Sequence, residues 1–90
     1  MTSLYGFAYT EDALKYLETV VPKKIRGQIK KRIEALAATP SPPGCKKLDG
    51  VMDGKFPVYR VRQGDYRILY SVRGVIIVIL DIDHRKDVYR

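Results

Sequence analysis

The chain has 90 residues, 46% of them hydrophobic and 30% charged, which is enough for one modest core and too little for two. Seventeen Lys and Arg against ten Asp and Glu leave a net charge of +7, which favours an acidic partner: nucleic acid, an anionic membrane surface or an acidic protein. Cys45 is the only cysteine, so an internal disulfide is excluded and the fold must stand on packing, as suits a reducing compartment.

The opening MTSLYGFAYTED has no basic region followed by an apolar run, so no secretory leader is read there and a cytoplasmic location is expected. Leu4, Tyr5, Phe7, Ala8 and Tyr9 predict a first strand. Thr10 suits a helix N-cap, with Glu11 and Asp12 placing negative charge at the positive end of the helix. Leu14, Leu17 and Val21 then share a helical face, and Pro22 ends the helix near Val20 and Val21.

Pro22 also fits the first turn of a second helix, whose buried stripe is Ile25, Ile29, Ile33, Leu36 and Ala37. Lys23, Lys24, Arg26, Lys30, Lys31 and Arg32 cover most of its remaining surface. That basic face is a candidate for RNA or ribosome contact, as are Lys46 and Lys47 further on. The same pattern also describes an ordinary solvated helix face. Three prolines across residues 39–44 stop the helix, and LDGVMDG reads as a connecting loop. Cys45 lies in this Pro/Gly segment, a poor setting for a nucleophile.

Residues 56–89 read as a three-stranded antiparallel meander. Two-residue turns at Gln63-Gly64 and Arg73-Gly74 would set Val61 opposite Tyr66, Arg60 opposite Arg67, Tyr70 opposite Ile77, and Arg67 opposite Leu80. Alternation then gives a core face of Tyr59, Val61, Tyr66, Ile68, Tyr70, Val72, Val75, Ile77 and Ile79. The opposite face carries Arg60, Arg62 and Arg67 beside Val58, Leu69, Val78 and Leu80. The predicted architecture is α+β: an N-terminal strand, a two-helix hairpin and the meander, with the helices on one sheet face. Residues 75–80 are too short an apolar run to span a bilayer, and no membrane partner is expected.

Arginines facing one another across strands repel, and a polyanion on that face would turn the repulsion into attraction. Arg85, Tyr89 and His84 follow the last strand, at the edge of the same face. Guanidinium groups, a phenol and an imidazole together suit metal-free cleavage of RNA by its own 2′-hydroxyl. Arginine holds phosphate oxygens bidentately and stabilises the charge that grows on them. A tyrosine near arginines is eased toward its phenolate, and a histidine has a pKa suited to acid–base work. Asp81 and Asp83 share a strand face, but no further ligand is spaced with them to close a metal site. The glycines form no phosphate-binding loop, and no cofactor is expected.

The run YRVRQGDYRILYSV, the upstream PSPPGCKKLDG and the closing DHRKDVY resemble the RelE branch of the RelE/ParE toxins of toxin–antitoxin pairs, over nearly the whole chain. The resemblance implies a single RelE-like toxin domain over residues 1–90, with the fold of small microbial ribonucleases. It implies an endoribonuclease that cuts mRNA in the ribosomal A site without a metal, with Arg60, Arg62, Arg67, Arg85 and Tyr89 at the catalytic positions. It also implies a cognate antitoxin, for which Val58, Leu69, Ile76 and Val78 form the expected apolar contact. Arginines stand at Arg60 and Arg62 where other members carry lysines, which points there to charge stabilisation and makes Tyr89 the expected base. Two other readings compete: a ParE-like toxin acting on DNA gyrase by protein contact, and a non-catalytic RNA-binding module.

Overall fold

In the computed structural model the described residues are 5–40, 42 and 44–84. Strand β1 (Gly6–Tyr9) leads through Thr10 into helix α1 (Glu11–Thr19), and helix α2 (Lys23–Ala35) follows. Four strands complete the order: β2 (Lys46–Asp53), β3 (Phe56–Gln63), β4 (Tyr66–Arg73) and β5 (Ile76–His84). They form one five-stranded sheet in the order β1-β5-β4-β3-β2, antiparallel except for β1, which runs parallel to β5. This is the expected α+β arrangement with one strand more than the sequence predicts.

That extra strand is β2, which the sequence reads as a loop. Two Asp-Gly pairs hide it, and its pairing with β3 is irregular between Lys47 and Met52, where Gly50 takes a φ of 72°. A strand interrupted by an irregularity loses the alternation from which strands are read. It lies at the sheet edge and depends on β3 for its ladder.

Both helices pack on one face of the sheet. Ala13, Leu17 and Val21 from the first helical segment and Ile29, Ile33 and Leu36 from the second meet Val61, Tyr66, Ile68, Tyr70, Ile77, Ile79 and Ile82 in a single core. Among the described residues the opposite face carries no helix. Thr10 caps α1 as expected, its hydroxyl accepting a hydrogen bond from the Ala13 N–H at 3.2 Å. Pro22 occupies the N-cap of α2 rather than its first turn. The turn between the helices is stitched by Arg26, whose guanidinium donates to the carbonyls of Leu17 (3.0 Å), Glu18 (2.9 Å) and Val21 (3.3 Å). Those of Leu17 and Glu18 are carbonyls that the end of α1 cannot satisfy internally.

Registers differ from expectation by one step in each hairpin. The loops are Gly64-Asp65 and Gly74-Val75, so Gln63 pairs with Tyr66, Arg62 with Arg67, and Arg73 with Ile76. Gly64 and Gly74 each take a φ of 60° at the first loop position, where a type II′ turn needs glycine. The sequence reading set them second, as in a type I′ turn. A shift of one residue in the turn changes every pair sum by two, so the division of side chains between faces is preserved. Val75 is the exception: it sits in the turn and is 57% exposed, not in the core.

Beyond Tyr70↔Ile79 the β4–β5 pairing slips, and Leu69 pairs with Asp81, Ile68 with Ile82, Arg67 with Asp83, and Tyr66 with His84. Leu80 is the additional residue. A bulge reverses which face each later residue occupies. Ile82 therefore enters the core, fully buried, while Asp81 and Asp83 share the helix-free face with Arg67. Leu80 does not face Arg67 as the sequence reading expects.

Candidate functional site

The helix-free face is organised in rows across the strands. One row runs Arg62, Arg67, Asp83, and the next Lys46, Arg60, Leu69, Asp81. Directly paired residues on neighbouring strands lie about 4.5–5.5 Å apart at Cα, so Arg67 of β4 adjoins Asp83 of β5, and the cations of β3 and β2 lie one and two strands further away. Arg62 and Lys46 are exposed, while Arg60 and Arg67 are half-buried, as are Asp81 and Asp83. The sequence brings Arg60, Arg62 and Arg67 to one face as expected, but the repelling pair is Arg62 with Arg67 rather than Arg60 with Arg67.

Asp81 and Asp83 form the part of this face that sequence reasoning missed. Only the bulge aims them here, and nothing in IVILDIDH announces an extra residue. Burial raises the pKa of Asp81. The Ile82 N–H and a hydrogen bond with the Asp83 side chain pull it back, and the charge of Asp12 on α1 raises it further. One oxygen of Asp83 is excluded from solvent.

His84 lies elsewhere. It pairs with Tyr66, whose ring it meets edge-on at 4.9 Å and 85°, on the helix side of the sheet. The bulge that turns Asp83 toward the arginines turns its neighbour away from them, which corrects the expectation that His84 joins their cluster. Arg85 and Tyr89 lie outside the described residues; Arg85 follows His84 directly in the chain.

Further along the same face, Val58 is only 2% exposed and thus is not the open contact expected of it. Ser71, beyond it on β4, is fully buried and donates to Asp53 Oδ2 at 2.9 Å. The guanidinium of Arg73 binds the same oxygen and also lies over the Phe56 ring at 5.2 Å. Leu69 and Val78 are half-buried, and Ile76 is 39% exposed beside the exposed Val75.

The remaining basic candidates divide between two sides. Lys46 stands across from Arg60 on the helix-free face, and Lys47 across from Tyr59 on the other. Lys23, Lys24, Lys30 and Lys31 are exposed on α2, beyond the helical layer. Arg26 differs from them because its guanidinium is engaged with the end of α1. At the far edge of the core, Cys45 Sγ meets Tyr70 Oη at 3.0 Å, and that hydroxyl donates to the Pro40 carbonyl at 2.6 Å. Burial, reinforced by Cys45, pushes the Tyr70 phenol far above its ordinary pKa, so it serves as a fixed donor that ties the 40–45 segment to the sheet. Among the described residues no helix is long and apolar enough to cross a membrane.

Comparison with known proteins agrees with this architecture. The sequence matches, over residues 7–89, the family described as the ParE toxin of type II toxin–antitoxin system, parDE. A comparison with curated protein sequences gives no match. The archaeal RelE–RelB complex from Pyrococcus horikoshii contains a chain 30% identical, with a TM-score of 0.75 over 91% of this chain and 96% of that one. The RelB–RelE complex from Methanococcus jannaschii gives 32% identity and a TM-score of 0.70 over 91% and 94% of the two chains. The RelBE2 complex from Mycobacterium tuberculosis gives 27% and 0.72 over 90% and 98%. The chain belongs to the ParE toxin family of type II toxin–antitoxin systems, within the RelE/ParE superfamily and with a RelE-like fold.

Proposed function

We propose that this toxin is a ribosome-dependent endoribonuclease that cleaves mRNA in the A site and so inhibits translation. The observation that carries the reading is the row geometry: Arg60, Arg62, Arg67 and Lys46 converge on one face that no helix among the described residues covers. A phosphate seated over Arg62 and Arg67 relieves their mutual repulsion, and their charge favours the phosphorane that forms as the 2′-oxygen attacks. Arg85 adds to that charge, and Tyr89 takes the proton from the 2′-hydroxyl. Lys23, Lys24, Lys30, Lys31 and Lys47 contact the ribosome from other sides of the molecule. No metal or cofactor takes part in this mechanism.

A cognate antitoxin is the second partner, supported by the likeness to RelE chains found in complexes with RelB. Its apolar contact is Leu69, Val78 and Ile76 with the neighbouring Val75, and its acidic side chains lie over the arginine rows.

Programmed ribosomes incubated with wild type, Arg67→Ala and Tyr89→Phe test the reading. Wild type is expected to cut in the A site, and each variant to lose at least ~100-fold while still binding. The family name favours one other reading, protein contact with DNA gyrase. Intact message together with blocked supercoiling would establish that reading instead.

A further inference from the structure

We propose that Asp83 is a positioning residue for Arg67: its carboxylate draws the guanidinium by one edge and leaves another edge for the scissile phosphate. The role rests on the nuclease reading. Arg67 is the central member of the row Arg62, Arg67, Asp83, with a cation directly across on β3 and an anion directly across on β5. All three share one side of the sheet, so the guanidinium is repelled from one flank and attracted to the other. Arg62 is exposed and can lean into water, whereas Arg67 and Asp83 are half-buried, and one oxygen of Asp83 is excluded from solvent. A carboxylate withdrawn from water requires a cation beside it, and the cation in direct register is Arg67.

The bulge makes this pair. Were the alternation of β5 unbroken beyond Tyr70↔Ile79, Ile82 would stand opposite Arg67 and Asp83 would turn to the helix side. The extra residue at Leu80 reverses both. Asp81, the other acid that the bulge brings to this face, stands across from Leu69 and has no arginine in direct register. The relationship with Arg67 is therefore particular to Asp83.

One guanidinium can serve two anions. Its five N–H donors lie in a plane, so a carboxylate can occupy one edge while phosphate oxygens are held along another. An arginine gripped in this way no longer samples its many rotamers, and its charge lies where the charge of the phosphorane grows. The arrangement has a cost, because a carboxylate at the site also lowers the positive potential that attracts the message. Neutralising Asp83 therefore has opposite effects in the two cases: it slows cleavage if the acid aims Arg67, and strengthens binding and cleavage if the acid merely offsets charge.

Cleavage of message on programmed ribosomes by wild type, Asp83→Asn, Arg67→Ala and the double variant tests the role. Asp83→Asn is expected to lower kcat by ~10-fold or more, with KM unchanged or lower. Arg67→Ala should lose ~100-fold. Adding Asp83→Asn to it should change the rate by less than about twofold, because an acid that works through Arg67 then has nothing to hold. Asp83→Glu keeps the charge and should recover most of the loss, and Asp83→Ala run through the same cycle serves as a second neutral variant. By NMR the Arg67 Nε–H should exchange slowly with water in wild type and Asp83→Glu and quickly in the neutral variants, whose melting curves show that they are folded. Neutral variants that cut as fast as wild type, or faster, would overturn the proposal and leave the nuclease reading intact. Losses that multiply in the double variant would also overturn it, since Asp83 would then act apart from Arg67. Wild type that leaves the message intact would remove the nuclease reading, and this role with it.

Discussion

The hydroxyl of Thr10 donates a 2.8 Å hydrogen bond to the carbonyl of Leu80, 70 residues away in the chain, while accepting one from the Ala13 N–H. One side chain thus caps α1 and satisfies the backbone of the bulge that aims Asp81 and Asp83. The Thr10 N–H also bonds the Ile79 carbonyl at 3.0 Å, which fixes the end of β1 against the same spot.

Thr10→Val removes both hydroxyl contacts with little change in shape. Loss of an N-cap costs about 0.5–2 kcal/mol, and the second bond adds roughly 1 kcal/mol. Thermal melting should show a fall of roughly 10 °C for a domain of this size. Thr10→Ser keeps both contacts and should recover most of the loss.

Arg26 behaves as a structural residue although it lies on a basic helix. Arg26→Gln breaks the three bonds to the end of α1 and should cost about 1–2 kcal/mol by chemical denaturation. The salt dependence of binding to single-stranded RNA should stay unchanged. Lys30→Ala should do the reverse, holding stability within about 0.5 kcal/mol while lowering the salt slope by roughly 0.7.

Asp53 links acid stability to the far end of the sheet. Hydrogen bonds from Arg73 and Ser71 hold its carboxyl below the ordinary range. A depressed folded pKa gives stabilisation that is fully present above the unfolded value of ~3.9 and is lost as pH falls through the folded value. The melting-temperature gap between wild type and Asp53→Asn should therefore be constant near neutrality and close below about pH 4. With the ion pair open to water, the gap should be worth at most about 1 kcal/mol.

Asp81 runs the other way. Its folded pKa is raised, chiefly by burial, so folding favours the protonated form. The associated stability is present below about pH 3.9 and declines as pH rises through the folded value. Asp81→Asn should melt higher than wild type at pH 7, with the difference vanishing in acid.

Much of this was legible from residue order. Thr10 reads as a cap because its hydroxyl precedes an acidic first turn. The isoleucine stripe of α2 follows from helical spacing, and Arg60, Arg62 and Arg67 share a face because strand side chains alternate. That last inference survived a misplaced turn, since moving both turn residues by one leaves the paired side chains of β3 and β4 on their original faces. Tertiary structure alone decided the rest. Strand β2 exists through its ladder to β3, not through a pattern of its own. Engagement of Arg26 required the end of α1 beside it, and the bonds of Ser71 and Arg73 to Asp53 required β2 in the same sheet. Above all, the extra residue at Leu80 is stabilised by Thr10 from the other end of the chain. Local sequence sets which way a side chain points relative to its neighbours; only long-range contacts set where that alternation is broken, and here the break puts two acids beside the arginines and takes the histidine away.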